Sequence, residues 1–321
     1  MRRSTLLIPV VVLALILIGF IAWATASLVQ RNGSTMLSTK QLENYGLTHW
    51  TPLEQWTFAQ ARLSPGAEVR VTDFRGEGPD WISARFIADM LALTTDLDGG
   101  GLRGLNLSGA TIEGDIDLRG QELDFLRLVG STISGTFTLA DAVVSAAGRP
   151  EGVDENLPFG DVVLWDVTVG GVADFENVSA RSIALTGLEG AAFTLLSGVR
   201  SQSVMIAESY GFSMVLVLRA RIDGDFVMRD IGVATDVVLQ GLSATNLVME
   251  NMTIGGQFDG IGMAVDGDVV LAGVEVGQDL MLTHSAIGGD LIALDSVRAG
   301  RAMTEASVGG RARLAIQGLS Q

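Results

Sequence analysis

The residues best placed to do chemistry form a polar series in the C-terminal half, each directly before an apolar residue that recurs every 10 or 11 positions. The series comprises Asp225, Asp236, Asn246, Gln257, Asp268, Asp279, Asp290, Arg301 and Arg311. If two repeat units make one coil, alternate members stack about 4.8 Å apart along one edge. Such an edge either accepts turn N–H groups, which is the favoured interpretation, or binds a divalent cation or a sugar. The candidate cation ligands are Asp225, Asp268 and Asp290.

No other group of residues in the sequence predicts a reaction. The chain has no cysteine, and its two histidines, His49 and His284, are far apart and have no nucleophile arrangement beside them. The segment at 96–101 lacks the full spacing and terminal Glu of a calcium loop, which favours a turn. A glycine-rich phosphate loop between a strand and a helix is also missing, so the sequence predicts no cofactor.

Two further regions are candidate surfaces for a partner protein. The repeat rhythm fails once, between Phe137 and Val162, where 25 positions replace the usual 10 or 11. The extra residues lie within 144–159 and predict either a recognition loop or a tolerated insertion. The candidate contacts in this loop are Arg149, Glu151, Asp154, Glu155 and Phe159.

The C-terminal end is the second candidate surface, because its repeat units carry Arg where earlier units carry Asp. Its candidate residues are Arg301, Arg311 and Arg313. A locally basic end on an acidic chain favours an acidic partner, and a frayed terminal coil is the alternative.

Composition limits the class of protein. The 321 residues carry a formal net charge of -16, 40 glycines and no cysteine. A disulfide-stapled scaffold is therefore excluded, and so acidic a chain is not suited to bind nucleic acid electrostatically. With 48% hydrophobic but only 6% aromatic residues, the chain fits a glycine-rich repeat protein better than a disordered tail.

An apolar repeat predicts the element that positions these side chains. From about residue 101, one apolar position recurs at a spacing of 10 or 11 along most of the chain. Its members are Ile116, Leu126, Phe137, Val162, Val172, Ile183, Phe193, Val204, Val215, Phe226, Val237, Leu247, Phe258, Val269, Leu280, Leu291, Ala302 and Ala312. A second apolar series lies four residues earlier in many units, and glycines commonly separate the two. Each unit therefore predicts a strand, a tight turn and a strand.

Two units make a coil of about 21 residues, a length that suits a parallel β-helix. The repeat positions give about nine coils, stacked at about 4.8 Å per coil. The predicted fold class is an all-β solenoid, a right-handed parallel β-helix over residues 101–321 with an insertion loop at 144–159.

Residues 31–100 are expected to form a juxtamembrane segment and a small helical cap over the first coil. The run from Thr51 to Glu54 combines an N-cap, a proline at the first helical position and a capping-box Glu, which predicts a helix to about Leu63. Pro79 and Asp80 are expected to open a second helix. Its apolar face comprises Ile82, Phe86 and Met90.

The first 30 residues predict a transmembrane anchor. No residue from Ser4 to Gln30 is charged, and this stretch exceeds the roughly 20 residues needed to cross a hydrocarbon core. Residues 5–29 are therefore expected to contact the lipid bilayer. A cleaved signal peptide is the alternative, because Arg2 and Arg3 precede the stretch and residues 24–26 resemble a cleavage site. The basic start favours a repeat domain outside the bacterial cytoplasmic membrane.

Four motifs resemble bacterial membrane-associated β-helix proteins that are related in pattern to pentapeptide-repeat proteins and are often labelled oxidoreductase. The motifs are WTPLE at 50–54, WISARF at 81–86, GLNLSGA at 104–110 and GDIDL at 114–118. The resemblance implies a capped β-helix and supplies no catalytic residues. Glycine-rich units such as GDVVL at 267–271 also resemble bactofilins, although the bactofilin repeat is shorter.

These observations favour a non-enzymatic, membrane-anchored scaffold that binds a protein or glycan partner in the cell envelope. One alternative is an enzyme that acts on envelope polysaccharide through the carboxylate edge, although no single Arg stands out as its base. The other is a cytoplasmic, self-assembling scaffold like a bactofilin, which requires the opposite membrane topology.

Overall fold

The structure, a computed structural model, describes residues 40, 43, 48–63, 67–96, 104–145, 160–190 and 193–317. The chain forms a parallel β-solenoid of about nine turns with few helices. The predicted membrane span, residues 5–29, lies outside the described residues. Within the described ranges, no helix has both the length and the apolar character to cross a membrane.

Each coil has four sides. On each side, two residues that are two positions apart are buried, and the chain then turns onto the next side. In one coil the buried pairs are Phe226/Met228, Ile231/Val233, Val237/Leu239 and Leu242/Ala244. Side chains alternate between the two faces of a strand, so the residue between each pair points outward. Each predicted repeat unit therefore supplies two sides, and the prediction of strand, turn and strand is confirmed.

The strands of one side stack in parallel along the solenoid axis. The first side contains β3 (Gly104–Ser108), β7 (Phe125–Val129), β11 (Asp161–Trp165), β14 (Ser179–Thr186), β16 (Arg200–Ala207), β19 (Asp225–Val233), β22 (Asn246–Ile254), β25 (Val269–Met281), β27 (Leu291–Met303) and β29 (Ala312–Gln317). The longer strands continue round a corner onto a neighbouring side. The second side begins with β2 (Trp81–Ser83), β4 (Thr111–Glu113), β8 (Thr132–Ile133) and β12 (Thr168–Val169).

The other two sides are built in the same way from shorter strands. The third side contains β5 (Ile116–Asp117), β9 (Phe137–Thr138), β13 (Val172–Asp174), β15 (Phe193–Ser197), β17 (Val215–Leu218), β20 (Val237–Val238) and β23 (Phe258–Asp259). The fourth contains β6 (Glu122–Leu123), β10 (Val143–Val144), β18 (Arg221–Ile222), β21 (Ser243–Ala244), β24 (Ala264–Val265), β26 (Ala286–Ile287) and β28 (Ser307–Val308).

The predicted inward position is wrong by one residue in two coils of the third side. Phe137 pairs with Ala173, and Ala173 pairs with Thr194, so Val172 and Phe193 are each one position too early. Ala173 and Thr194 are fully buried, whereas Val172 is partly exposed. A shift of one residue exchanges the two faces of a strand. The larger residue at 172 and at 193 made the wrong position look like the core position.

A cap of two helices, α1 (Pro52–Leu63) and α2 (Ala84–Asp96), covers the first coil together with β1 (Val69–Arg70) and a 3₁₀ turn (Val71–Asp73). The predicted capping box is confirmed: Thr51 N–H donates to Glu54 Oε2 at 2.7 Å, and Glu54 N–H donates to Thr51 Oγ1 at 3.2 Å. The start of the second helix was predicted wrongly. Residues 81–83 pair with β4 as a strand, and the helix begins only at Ala84.

Ser83 sets that start, because its hydroxyl oxygen accepts the Phe86 N–H at 3.1 Å and so caps α2. Glu54 is 2% exposed and also reaches across to this second cap. Its Oε1 accepts the Ser83 N–H at 2.8 Å and the Ser83 hydroxyl at 2.6 Å. One buried carboxylate therefore joins the N-termini of both cap helices, where the helix dipoles favour negative charge.

Candidate functional site

The polar edge residues bond each coil to the next. On the first side, Asn246 Nδ2 donates to Asp225 Oδ1 at 2.8 Å, and the Asp268 N–H donates to Asn246 Oδ1 at 2.9 Å. The Asp290 N–H then donates to Asp268 Oδ1 at 2.7 Å, and the Arg311 N–H to Asp290 Oδ1 at 2.7 Å. On the third side the Gln257 N–H donates to Asp236 Oδ1 at 2.7 Å in the same way. The side chains therefore accept N–H groups from the following coil.

A glycine before the N–H donor makes room for this bond. A Cβ on Gly289 would clash with Asp268 Oδ1, and a Cβ on Gly310 would clash with Asp290 Oδ1. The paired Gly and Asp of these units are thus explained together: Asp reaches along the axis, and Gly in the next coil admits its carboxylate.

The three candidate cation ligands, Asp225, Asp268 and Asp290, each use Oδ1 in this ladder of hydrogen bonds. Asp225 and Asp268 are separated by the intervening coil of Asn246. Across the described ranges, no three His, Asp or Glu side chains are grouped so that they could hold a metal ion. The geometry supports the turn-cap interpretation of this edge.

The five candidate contacts of the insertion, Arg149, Glu151, Asp154, Glu155 and Phe159, lie outside the described residues. Val144 belongs to β10 and is buried, so the solenoid continues to that residue. Leu126 pairs with Val162, 36 positions later, whereas Val162 pairs with Ile183, 21 positions later. The insertion therefore leaves the order of stacking unchanged.

The chain re-enters the solenoid through a pair of charged residues. Arg181 Nε donates to Asp161 Oδ1 at 2.8 Å, and Arg181 Nη2 to Asp161 Oδ2 at 2.5 Å. The hydrogen bond to Asp161 raises the pKa of Arg181. This bidentate pair fixes β11 against β14 directly after the insertion.

The basic candidates of the C-terminal end are divided between two sides. Arg313 lies in β29, the last strand of the first side, and Arg311 directly precedes that strand, while Arg301 is paired with Asp279 on the third side. All three are exposed. Within the described residues, their side chains form no ion pair, whereas nearby Arg298 lies 3.3 Å from Glu275.

Other polar groups are scattered over the surface. His49 Nε2 lies 3.1 Å from Asp89 Oδ2 in the cap, and His284 lies in a turn with a φ of 55°. An open groove of about 400 Å³ runs along the fourth side near the C-terminal end. Asp266 is the one ionisable residue that lines it, among apolar, Ser and Gly residues. This groove therefore has no pair of acid and base groups.

The sequence analysis missed an apolar column on the outside of the first side. These residues point away from the core, occupy seven successive coils and are partly exposed. They are Val163, Ala184, Met205, Val227, Val248, Val270 and Ile292, here called the valine face. The column ends at Arg127 before Val163 and at Arg313 after Ile292. The signal was present, because each member directly follows an inward residue of the repeat.

The same outward position on the second and fourth sides is mostly polar or small, and the exposed exceptions are Tyr210 on the second side and Val143 on the fourth. On the second side the column contains Thr111, Thr132, Thr168, Thr253, Glu275 and Arg298. On the fourth side it contains Glu122, Ser179, Arg200, Arg221, Ser243 and Ser307. The outward column of the third side also has apolar members, Leu216, Val238, Met281 and Met303, but Asp259 interrupts it. The valine face differs because it is uninterrupted over seven coils.

Acidic residues border the valine face on both long edges. One row consists of Asp225, Asp268 and Asp290, directly before the inward residues of the first side. The other lies at the corner with the second side and consists of Asp166, Glu208 and Asp230, each with a positive φ. In the part of the chain that the structure describes, none of these six forms an ion pair. The face therefore presents apolar side chains between two acidic rows, and the Arg229–Glu250 ion pair at 3.3 Å lies between the column and the second row.

No family model, curated protein or solved structure matches this chain. The resemblance to membrane-associated β-helix proteins and to bactofilins rests on the sequence motifs alone.

Proposed function

We propose that this protein is a non-enzymatic scaffold of the bacterial cell envelope. Residues 5–29 anchor it in the cytoplasmic membrane, and a right-handed solenoid presents a binding surface for a protein or glycan partner outside that membrane. The proposal rests on the observation that different positions of the repeat have different structural roles. Inward residues form the core and polar edge residues bond the coils, so the outward columns are free to vary and to bind.

The candidate contact regions are the 144–159 loop, the basic C-terminal coil and the sides of the solenoid. A rigid stack of strands holds such surfaces in fixed relative positions, which is the usual advantage of a solenoid in recognition. Nucleic acid is a poor partner for a chain of net charge -16.

Affinity purification of the full chain from native membranes tests the scaffold function. Mass spectrometry of the proteins and bound glycans should identify a partner that is retained after washing and missing from a mock purification. Recovery of the chain alone, under conditions that keep other envelope complexes intact, would contradict the proposal.

Protease treatment of spheroplasts tests the placement. The solenoid should be cut while the membrane is intact, and the mature chain should retain its first 30 residues. Survival until the membrane is permeabilised would contradict the topology, and a mature chain beginning near Ser27 would contradict the anchor.

The two alternatives, a polysaccharide-active enzyme and a self-assembling cytoplasmic scaffold, gain less support. A polysaccharide-active enzyme would need its edge carboxylates free, but the Oδ1 atoms of Asp225, Asp268 and Asp290 are engaged by the neighbouring coil. A filament built by end-to-end stacking needs two open ends. Here α1 and α2 cover the N-terminal end, which favours the scaffold over an end-to-end filament.

A further inference from the structure

We infer that the valine face is the docking site for a basic amphipathic α-helix of a partner protein, an inference that rests on the scaffold function proposed above. Whereas the apolar column of the third side is broken by Asp259, the valine face is an apolar column that runs without interruption over seven coils. Its most exposed member, Met205, is 38% exposed, and Trp165 at its margin is 50% exposed. Contiguous exposed apolar surface with a polar rim marks interaction sites in soluble proteins.

The spacing of the column favours a helix over other peptide conformations. Seven residues on successive coils span six steps of about 4.8 Å, which is about 29 Å. A helix of about 19 residues has this length, and its pitch of about 5.4 Å is close to the spacing of the coils. The same-face repeat of a strand, at about 6.7 Å, and that of a polyproline helix, at about 9.3 Å, match the coils less well.

The charge around the column specifies the flanks of that helix. Asp225, Asp268 and Asp290 line one edge, and Asp166, Glu208 and Asp230 line the other. An apolar helix face flanked on both sides by Lys or Arg would place positive charge over both rows.

The same two acidic rows argue against two other binding partners for this face, a second copy of the chain and an anionic lipid surface. In a face-to-face pair of copies, each acidic row would lie against an acidic row of the second copy, whether the solenoids run parallel or antiparallel. An anionic lipid surface would be repelled for the same reason. The arginines at the two ends of the column, Arg127 and Arg313, limit the helix to the seven coils between them.

The test uses the purified full-length chain and a synthetic peptide of about 20 residues, with Leu on one helical face, Lys on both flanks and Ala elsewhere. A scrambled peptide of the same composition serves as its control. Fluorescence anisotropy should give at least about tenfold tighter binding for the amphipathic peptide. Equal binding of both peptides would overturn the inference, because it would reflect net charge alone.

A triple variant tests the apolar contacts. Val227→Thr, Val248→Thr and Val270→Thr keep the branched shape that suits a strand but make the face polar. They should weaken peptide binding at least about tenfold with the melting temperature nearly unchanged. The control, Val143→Thr with Val238→Thr, changes outward valines on the fourth and third sides and should bind as the wild type does. Unchanged binding by the triple variant would overturn the inference.

A charge variant tests the acidic rows. Asp230→Asn and Asp268→Asn keep the Oδ1 acceptors of the ladder and remove one charge from each row. Binding should weaken about threefold to tenfold at low salt, and its salt dependence should become shallower. An unchanged salt dependence would contradict the role given to the rows.

Two further measurements test whether the valine face binds a second copy of the chain or a lipid surface instead. Light scattering that shows a wild-type dimer dissociating in the triple variant would identify the valine face as a self-interface. Sedimentation with vesicles rich in phosphatidylglycerol that carries down the wild type but not the triple variant would identify a lipid-binding face. Either result would overturn the inference. Native purification of a partner that the triple variant still retains would also overturn it, while leaving the scaffold function intact.

Discussion

The two ends of the solenoid repeat the same inward pattern but differ in how well it is buried. At the N-terminal end, Leu105 and Leu107 are each 1% exposed beneath the cap. At the C-terminal end, the equivalent positions are Ala312, which is exposed, and Leu314, which is 43% exposed. The pleat of a strand orients a side chain inward, but only another layer removes it from water.

This difference indicates where stability is concentrated. The cap brings aromatic rings over the first coil, with Trp50 edge-on to Phe58 at 5.2 Å and to Phe86 at 4.9 Å. In a solenoid each coil contacts only its neighbours, so the loss of an end layer weakens the coils next to it first. The N-terminal end should therefore resist unfolding longer than the C-terminal end.

The largest contrast is expected from core truncation at each end. Phe86→Ala removes a fully buried ring and should destabilise the fold by about 3–5 kcal/mol. Leu314→Ala removes a side chain that is already 43% exposed and should cost well under about 1 kcal/mol. Thermal melting followed by circular dichroism compares the two. Equal losses would contradict the difference between the ends.

The cap should also depend on the carboxylate of Glu54. Glu54→Ala leaves the Thr51 and Ser83 N–H groups without their acceptor and should destabilise the fold by about 3 kcal/mol. Glu54→Gln keeps one acceptor and should lose about half as much. Hydrogen exchange of the cap amides measures the effect locally. An alanine variant with unchanged protection of the α2 N-terminus would show that Ser83 alone holds the cap.

The coil-to-coil hydrogen bond can be compared at both ends with one type of substitution. Asp115 Oδ1 accepts the Thr136 N–H at 2.8 Å near the cap, and Asp290 Oδ1 accepts the Arg311 N–H at 2.7 Å near the C-terminal end. Asp115→Ala should cost about 1 kcal/mol, and Asp290→Ala less, because the last coil opens more readily. The matching Asn variants keep the acceptor and should restore stability. Failure of Asn to do so would point to a role for the charge itself.

Chelation should have no effect on either end. The carboxylates of Asp268 and Asp290 accept backbone N–H groups from the next coil, so a chelator of divalent cations should leave the melting temperature unchanged. A large decrease that calcium reverses, and that Asp268→Asn with Asp290→Asn abolishes, would instead establish a cation-dependent edge.

The smallest effect on stability is expected from the charges of the C-terminal end. Arg311→Glu with Arg313→Glu changes two exposed side chains that pair with no acid among the described residues and should leave the melting temperature unchanged. If this end docks an acidic partner, co-purification from native membranes should be lost. Unchanged mass by light scattering and unchanged partners, with the fold retained, would remove the C-terminal coil from the candidate surfaces.

Much of the fold was predictable because it depends on short-range rules. The repeat of apolar residues gave about nine coils with two strands per unit, and the capping box at Thr51 and Glu54 formed as predicted. The errors arose where neighbouring residues were both apolar. At Val172 and Ala173, the inward residue is set by pairing with Phe137, 36 positions earlier, and local hydrophobicity favours the wrong one.

The candidate site was less predictable, since its contacts join separate coils. The sequence showed which residues carry carboxylates, and their spacing predicted that they stack. That each Oδ1 accepts an N–H from the next coil followed only from the structure. The residues of the valine face could also be identified in the sequence, because each follows an inward residue. That they form one continuous surface could be recognised only once the strand register aligned them over seven coils.

The sequence by itself determined the solenoid, the unit length and the first helix cap, because strand alternation, turn glycines and helix capping act over a few residues. Tertiary structure decided the rest. The link from Glu54 to Ser83 spans 29 residues, and the two acidic rows beside the valine face come from coils about 21 residues apart. Contacts of this kind depend on the stacking register, which is set by cooperative pairing of whole coils and not by any local pattern.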